Sequence, residues 1–199
     1  MKSVLFICEN LKHDRIGPVN LKAEAGQCVS ISGRSGAGKT QLLRALADLD
    51  PHHGDVFLNG IECNEISGHE WRRKVAMLPA ESQWWYVHVG GHLQTIDVEI
   101  VESLGFERNI FDAAVDQLST GERQRLALIR LLAIKPRVLL LDEPTASLDP
   151  ENTERVEDLI KRYKDNQNAT VIWVSHDQSQ IDRVSDQHYF MKNGALELQ

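Results

Sequence analysis

Short hydrophobic segments separated by polar turns characterise the N-terminal third of the chain. We expect three strands and one helix in this part, because the strand-like segments are short and rich in β-branched and aromatic residues. The strands are predicted at residues 2–7, 28–32 and 54–63, the last with Asn59-Gly60 as a hairpin turn, and the helix at Lys39 to Ala47. The pattern therefore indicates a strand-rich layer around one helix.

From Gln117 onward the hydrophobic pattern changes to helices that alternate with continuous apolar runs. The two runs lie at residues 137–142 and 169–175. Such runs are typical of parallel strands buried between helices on both faces. We predict a single α/β domain over residues 1–199, with a parallel sheet flanked by helices and an antiparallel N-terminal β subdomain.

The stretch from Met77 to Gln117 interrupts this alternation. It contains two adjacent tryptophans, a Gly90-Gly91 break and two modest helical patterns, at residues 93–104 and 108–115. We expect a small helical subdomain, over about residues 80–135, inserted between strands of the core. Insertions of this kind often carry partner-specific surfaces.

Composition narrows the partners that this domain can have. The chain has 199 residues, with 22 Lys and Arg against 29 Asp and Glu, and a net charge of −7. An acidic balance disfavours nucleic acid and anionic lipid, so no nucleic-acid partner is expected. No apolar run approaches the roughly 20 residues that cross a bilayer, and "MKSVLFICEN" is too short and too soon interrupted by charge for a secretory signal. We therefore expect a cytoplasmic protein whose membrane role, if it has one, comes through a partner.

The cysteines give no sign of a metal site or a disulfide framework. Cys8, Cys28 and Cys63 stand far apart and in no metal-ligand spacing. Since disulfides are rare in the cytosol, reduced thiols are the expected state.

A glycine-rich motif supplies the first candidate chemistry. "GRSGAGKT" matches the pattern G-x-x-x-x-G-K-[ST], and it follows a predicted strand and opens a predicted helix. Glycines let backbone N–H groups turn inward around phosphate oxygens, and the helix aims its positive end at the same anion. The predicted nucleotide-binding residues are Gly33, Arg34, Ser35, Gly36, Ala37, Gly38, Lys39, Thr40 and Gln41. Within this set, Lys39 is expected to neutralise the β- and γ-phosphates, and Thr40 to ligate Mg²⁺.

An acidic pair at a predicted strand end supplies the second candidate chemistry. Asp142 and Glu143 follow the apolar run of "RVLLLDEP". Alone, such a pair is usually a solvated strand end or a helix cap. Combined with the phosphate loop, Asp142 is predicted to bind Mg²⁺ together with Thr40, and Glu143 to act as the general base toward the attacking water.

With these motifs in place, the segment "QLSTGERQRLALIRLLAIKPRVLLLDEPTASLD" resembles the nucleotide-binding cassette of ABC ATPases, in particular the small bacterial transporter type. The likeness extends from about Asn10 to His176 and the C-terminal "MKNGALE". It implies a P-loop NTPase core with a small helical ABC subdomain. It also implies that the cofactors are ATP and Mg²⁺.

"LSTGE", Leu118 to Glu122, corresponds to the family signature LSGGQ. In the family this motif meets the γ-phosphate of ATP held by the opposite subunit, so Ser119, Thr120 and Gly121 imply a homodimer with two ATP molecules between the subunits. Ser119 with Glu122 also reads as a capping box, and both interpretations can hold together. Thr120 replaces a glycine of the motif, and Glu122 brings a negative charge near phosphate that would weaken the closed dimer.

Two further residues take roles from the resemblance. Asp149 in "SLDP" corresponds to the loop that couples the two active sites, although an Asp before Pro150 also predicts an ordinary helix N-cap. His176 follows the last apolar strand, as the switch histidine of the family does, and is predicted to be catalytic together with Glu143.

The resemblance fails at two places. In the coupling loop at Ala80 and Glu81, the family has a glutamine where this chain has Ala80, whose methyl group neither binds metal nor orients water. Either Glu81 or Gln83 substitutes, or the chain works without that contact. The family's adenine-stacking aromatic is also absent, and only His13 lies in its vicinity.

Three functions are compatible with these features. The leading hypothesis is the ATP-hydrolysing subunit of a membrane transporter, peripheral on the cytoplasmic face of the inner membrane, with an integral membrane permease docked near Trp84, Trp85 and Tyr86. Packing of Trp84 and Trp85 within the helical subdomain is an alternative for those side chains. The other functions are a soluble ABC ATPase in DNA or translation processes, and an ATP-dependent switch with low turnover.

Overall fold

The structure is a computed structural model that describes residues 4–93 and 98–199. Two sheets form within these residues, one of four strands in the order β2-β1-β4-β5 and one of six in the order β10-β9-β3-β8-β7-β6. The strands are β1 (Val4–His13), β2 (Ile16–Glu24), β3 (Cys28–Ser32), β4 (His53–Leu58), β5 (Ile61–Glu62), β6 (Val75–Leu78), β7 (Val138–Asp142), β8 (Thr170–Val174), β9 (Gln187–Lys192) and β10 (Ala195–Leu198).

Six α-helices connect or cover these strands in the described ranges. They are α1 (Lys39–Leu46), α2 (Gly68–Lys74), α3 (Val98–Ser103), α4 (Thr120–Ala133), α5 (Pro150–Gln167) and α6 (Gln178–Val184). Single 3₁₀ turns lie at Cys63–Glu65, Val89–His92, Arg108–Asp112 and Val115–Gln117.

The three central strands of the six-stranded sheet, β3, β8 and β7, are buried on both faces. Along β7, Val138 and Leu140 pack into the core beneath α1 and the antiparallel sheet, whereas Leu139 and Leu141 face the core formed with α4 and α5. Side chains alternate between the two faces of a strand, so a strand covered on both sides must be apolar at every position. The continuous apolar runs are therefore confirmed as central strands, and with them the α/β fold with helices on both faces.

Strand order brings three strand ends together. β3, β8 and β7 are adjacent and parallel, so their carboxyl ends lie at one edge of the sheet. The phosphate loop follows β3, His176 follows β8, and Glu143 follows β7. This edge of the sheet is the place where ligands bind in open α/β folds.

The antiparallel subdomain contains the predicted hairpin. Asn59 and Gly60 both have positive φ, at 52° and 79°, as a two-residue turn between antiparallel strands requires. β4 and β5 flank this turn and pair with each other. The sequence pattern underestimated the rest of the sheet, because β1 runs on to His13 and pairs with the unpredicted strand β2.

The helical insertion is less helical than predicted. The expected helix at 93–104 is observed as α3 over Val98–Ser103, and its residues 94–97 lie outside the described part of the chain. The expected helix at 108–115 is wrong: the chain forms only 3₁₀ turns there. Backbone pairing explains the difference, because Val89 N donates to Ala113 O at 3.1 Å and Val115 N donates to Val87 O at 2.9 Å. These bonds hold Ala113 and Ala114 extended, at the point where a helix from Arg108 would otherwise continue.

Candidate active site

The phosphate loop joins the buried strand β3 to helix α1. Gly33, Gly36 and Gly38 all have positive φ, and a Cβ at Gly33 would come within 2.4 Å of the carbonyl oxygen of Met191. Only glycine tolerates that conformation and that close approach together. The loop therefore has the backbone freedom that the sequence motif predicts.

Lys39 is folded back into this loop. Its side chain is largely buried, and Nζ donates to Gly33 O at 2.8 Å and to Arg34 O at 3.3 Å. A buried ammonium needs such acceptors because an unpaired charge away from water is costly. Lys39 thus lines a cavity of about 750 Å³. The cavity is lined by Asp14, Arg15, Gly33, Ser35, Gly36, Gly38, Lys39, Thr40, Gln41, Asp142, Glu143 and His176.

Thr40 and Asp142 meet in this cavity as the sequence predicts. Thr40 Oγ1 donates to Asp142 Oδ2 at 2.7 Å, and Asp142 is only 3% exposed. Burial raises the pKa of the Asp142 carboxyl, and the bond from Thr40 opposes this rise. A hydroxyl and a carboxylate that share one buried position fit Mg²⁺, which prefers a few hard oxygen ligands beside phosphate.

Glu143 and His176 form a second pair at the same edge. His176 Nδ1 lies 3.1 Å from Glu143 Oε2, with His176 exposed for 68% of its side chain and Glu143 for 29%. Glu143 adopts a left-handed backbone conformation, with φ at 48°, and its N–H donates to Val174 O at 3.1 Å. The strand end of β8 therefore fixes the turn that points the carboxylate into the cavity.

The cavity wall formed by the turn between β1 and β2 does not contain His13, the residue that the sequence offers near the expected adenine contact. His13 does not line the cavity, since its Nδ1 lies 2.6 Å from the carbonyl oxygen of Pro51. Asp14 and Arg15, in the turn between β1 and β2, line it instead. Sequence reasoning missed Arg15 because β2 was not predicted, so the turn was not recognised. A guanidinium plane is a suitable surface on which a base can stack.

The signature segment lies outside this cavity, at the start of α4. Ser119 is the N-cap: its Oγ accepts from Glu122 N at 3.2 Å and donates to Glu122 Oε2 at 2.7 Å. Ser119 N also donates to Glu122 Oε2, at 2.8 Å, and the two bonds that Ser119 donates to this carboxyl lower the pKa of Glu122, so Glu122 is charged at neutral pH. The capping-box interpretation is confirmed. A Cβ on Gly121 would lie 2.9 Å from Leu148 Cδ2, so the signature glycine permits close packing on the loop before α5.

Asp149 caps helix α5, as the alternative interpretation predicts. Its carboxylate accepts from Asn152 N at 2.9 Å and from Asn152 Nδ2 at 2.6 Å, and these bonds lower the pKa of Asp149. Arg125 of α4 donates to Asn152 Oδ1 at 2.7 Å, which links the signature helix to the Asp149 loop within one subunit. Arg125 and Asn152 have no motif that marks them in the sequence.

Ala80 and Glu81 lie apart from the phosphate cavity. Both line a separate groove of about 660 Å³ between the loop after β6 and the start of α4. Gln83 lines the same groove, and none of the three residues lines the cavity that holds Lys39 and Asp142. The loop instead contacts α4, where Gln124 Nε2 donates to Pro79 O at 3.0 Å.

These parts define a P-loop nucleoside triphosphatase: a phosphate loop on a parallel sheet, a buried Thr–Asp pair, and a Glu–His pair beside it. The amino-acid sequence narrows this class of protein to one family. The chain belongs to the ABC transporter family, whose sequence model matches residues 16–146.

Two curated relatives have comparable lengths. The phosphate import ATP-binding protein PstB of Aeropyrum pernix is 37% identical over 204 residues, which cover 89% of this chain and 81% of the relative. The tungstate uptake system ATP-binding protein TupC of Peptoclostridium acidaminophilum is 35% identical over 192 residues, covering 89% and 87%. The resemblance inferred from the sequence is confirmed: the chain is an ABC transporter ATP-binding protein with the ATPase fold.

A solved structure supports the same fold. A dimeric ATP-binding cassette in a post-hydrolysis state, bound to ADP and Pi, superposes with a TM-score of 0.82 at 24% identity, over 97% of each chain. At that identity the likeness concerns the fold. Over residues 4–93 and 98–199, the chain has no helix with the length and apolarity needed to cross a membrane.

Proposed function

We propose that the chain is the subunit that hydrolyses Mg²⁺-ATP as a homodimer and energises transport through a separate integral membrane permease on the cytoplasmic side of the membrane. The observation that carries the proposal is the convergence of the Thr40–Asp142 pair and the Glu143–His176 pair on one phosphate loop. The names of the relatives, which are import and uptake ATP-binding proteins, support the transporter setting.

The chain's own residues divide the work of hydrolysis. The loop glycines and Lys39 bind the β- and γ-phosphates, while Thr40 and Asp142 would hold Mg²⁺. When bound, the ion would neutralise charge on the phosphate oxygens. Glu143 accepts a proton from the water that attacks the γ-phosphate, and ATP and water become ADP and phosphate. His176 lies within hydrogen-bonding distance of Glu143 Oε2 and so orients the carboxylate toward that water.

The second part of the proposal is a head-to-tail dimer in which Ser119, Thr120 and Gly121 contact ATP held by the other subunit. The start of α4 suits this role because a 14-residue helix directs free N–H groups and a positive dipole end toward an anion. Glu122 opposes it, since a charged carboxylate sits in the first turn of the same helix. The balance between these effects is open to experiment.

Replacing Glu122 by Gln should strengthen the ATP-dependent dimer by roughly threefold to tenfold, which corresponds to removing about 1 kcal/mol of repulsion between charges near the surface. Gln also completes a capping box, so the helix start is retained. The dimer dissociation constant is measured by analytical ultracentrifugation with ATP, in a Glu143→Gln background that prevents hydrolysis.

Glu70→Gln is the matched control, because Glu70 occupies the same position of another capped helix: its N–H donates to Ser67 Oγ at 3.2 Å. This control is expected to leave the dimer constant unchanged. Equal constants for Glu122→Gln and Glu70→Gln would show that Glu122 does not face phosphate in the dimer.

The third part concerns the permease surface. Trp85, Tyr86 and Val87 are exposed for 65%, 55% and 71% of their surface, and we call these three residues the aromatic patch. Trp84 points inward and packs on the core of the helical subdomain. The two interpretations of the tryptophan pair therefore divide between the two residues: Trp84 packs within the subdomain and Trp85 is available to a partner.

The aromatic patch is held in place from beneath. The Arg130 guanidinium lies 4.7 Å from the Trp84 ring centre and 5.0 Å from that of Trp85, and it donates to Gln83 O at 3.1 Å. The His92 ring contacts Trp84 and Trp85 edge-on, each at 4.7 Å. Large aromatic side chains that are already ordered lose little entropy on binding and are enriched among binding hot spots.

Truncating Trp85 to Ala should weaken binding to the permease by about thirtyfold or more, since hot-spot residues contribute about 2 kcal/mol or above. The binding partner would be a candidate permease from the same organism, purified in detergent, and the dissociation constant is measured by biolayer interferometry. Leu198→Ala is the control, because Leu198 is similarly exposed, at 61%, on the remote strand β10. If both variants bound the permease as the wild type does, the aromatic patch would not be the docking surface.

A further inference from the structure

A cluster of three potential metal ligands lies away from the nucleotide cavity. Asp48, His52 and Cys63 each offer one ligand atom, and these atoms all lie within 4.8 Å of one another. A carboxylate oxygen, an imidazole nitrogen and a thiolate are the three ligand types that Zn²⁺ takes in proteins. None of these residues belongs to the phosphate loop or to the carboxylate and histidine pairs described above.

Asp48 is held by the end of helix α1. Its N–H donates to Ala45 O at 3.0 Å, and Leu49 N donates to Arg44 O at 2.9 Å, which together form a Schellman motif after the helix. Asp48 occupies the left-handed position of this motif, with φ at 55°. Glycine is usual at that position. A residue with a carboxylate therefore occupies a position where the backbone conformation favours glycine, which has no side chain.

Cys63 comes from the other side of the cluster. It is 7% exposed and begins the 3₁₀ turn after β5. Helix α2 follows this turn and is fixed to α1, because the buried Trp71 donates from Nε1 to Leu46 O at 3.0 Å. The cluster thus lies between the end of α1 and the end of the antiparallel sheet.

His52 supplies an independent indication of a ligand. In the part of the chain that the structure describes, three buried side-chain polar atoms have no hydrogen-bond partner, and Nδ1 of His52 is one of them. A buried polar atom without a partner is costly, so each such atom in a native protein calls for an explanation. A cation that takes this nitrogen as a ligand removes that cost.

Charged groups of both signs surround the cluster. Arg72 Nη1 donates to Asp48 Oδ2 at 3.1 Å and to Asp48 O at 2.8 Å, so one carboxylate oxygen of Asp48 is engaged and Asp48 offers the other as a single ligand. Glu62 adds a negative charge close to Cys63. Burial raises the pKa of the Cys63 thiol to about 12, with Asp48 and Glu62 adding to the rise and Arg72 opposing it.

We propose that Asp48, His52 and Cys63 form a Zn²⁺ site with three protein ligands and a fourth position for water. On binding, the Cys63 sulfur gives up its proton to solvent and donates an electron pair to the metal. The ion ties the end of α1, the helix that begins at the phosphate loop, to the antiparallel sheet. Sequence spacing did not reveal the site because the cysteines share no spacing with one another, and β4 and β5 separate Cys63 from Asp48 and His52.

Zinc titration of the purified full-length chain tests the proposal. A chromogenic chelator in the presence of excess Mg²⁺ is expected to report one Zn²⁺ per chain. His52→Ala and Asp48→Asn should each weaken zinc binding by at least about tenfold to a hundredfold, which is the loss that even outer-shell partners of zinc ligands cause. A hundredfold excess of Zn²⁺ over its dissociation constant should raise the melting temperature of the wild type by roughly 5–10 °C, and this rise should disappear in both variants.

Controls decide where the ion binds. His53→Ala removes the adjacent histidine, which is exposed on β4, and is expected to bind zinc as the wild type does. Cys63→Ser is the stricter ligand variant, and the two variants at partly exposed positions keep the test decisive if Cys63→Ser does not fold. Wild-type affinity in His52→Ala and Asp48→Asn would overturn the proposal. Loss of zinc in His176→Ala, with binding retained in His52→Ala, would place the ion at the nucleotide site and overturn it as well.

Discussion

Replacing Glu143 by Gln is expected to lower kcat for ATP hydrolysis by about 10²–10⁴-fold, the range that general acid–base catalysis contributes. The amide has the shape of the carboxylate and still hydrogen-bonds, but it cannot take a proton from water. ATP binding relies on the loop and on Lys39, so it should be preserved. A dimer that holds ATP should therefore accumulate.

Single-turnover release of phosphate measures the chemical step directly, and size-exclusion chromatography with ATP detects the trapped dimer. Glu197→Gln is the matched control, because it makes the same chemical change at an exposed site on β10. Wild-type turnover in Glu143→Gln would remove Glu143 from the role of base. Loss of turnover without a dimer would separate the chemistry from the proposed head-to-tail assembly.

The catalytic edge of the sheet was predictable because each part has a strong local signal. The phosphate loop combines a fixed spacing with a strand before it and a helix after it, and the acidic pair follows a continuous apolar run. Parallel strands place their carboxyl ends together, so two such signals on adjacent strands define one site. The observed contact of Thr40 with Asp142 joins residues 102 apart in sequence, and it follows from this topology alone.

Other parts of the molecule depend on contacts that a single sequence does not reveal. Arg15 lines the cavity because β1 pairs with β2, and the alternating apolar and polar residues of 19–24 were not recognised as a strand. Residues 108–115 carry a helical pattern, yet pairing with the backbone near Val87 competes successfully with the helix. Arg125 joins the signature helix to Asn152 through a buried guanidinium that no motif marks. At residues 108–115 tertiary hydrogen bonds override a local preference, and Arg15 and Arg125 take their positions from the pairing of distant segments.

The two roles of Glu122 and Asp149 illustrate a different limit. Both residues make the helix-capping bonds that their positions predict, at Ser119 and Asn152 respectively. Through these bonds each carboxylate satisfies a backbone N–H group at a helix start within the subunit. Both helix starts remain exposed at the surface. The dimer experiments measure what a second subunit contributes at those surfaces.

Replacing Lys39 by Met should raise the dissociation constant of ATP by roughly 10²–10³-fold. Met keeps the length and apolar stem of the side chain but removes the ammonium, and two charge-assisted hydrogen bonds to phosphate contribute about 3–4 kcal/mol together. The buried position of Lys39 keeps water from replacing it. The dissociation constants of ATP, ADP and adenosine are measured by isothermal titration calorimetry.

The loss should follow the phosphates rather than the base, because Lys39 reaches the β- and γ-phosphates. Affinity for adenosine is therefore expected to stay within about twofold of the wild type, an energy change of less than about 0.5 kcal/mol. Lys74→Met is the matched control, since Lys74 lies on α2 and pairs with Glu70 at 2.7 Å, away from the cavity. An unchanged ATP constant in Lys39→Met would mean that the backbone of the loop binds phosphate without the ammonium. An equal loss for adenosine would instead indicate that the substitution distorts the whole cavity, because no base contact passes through Lys39.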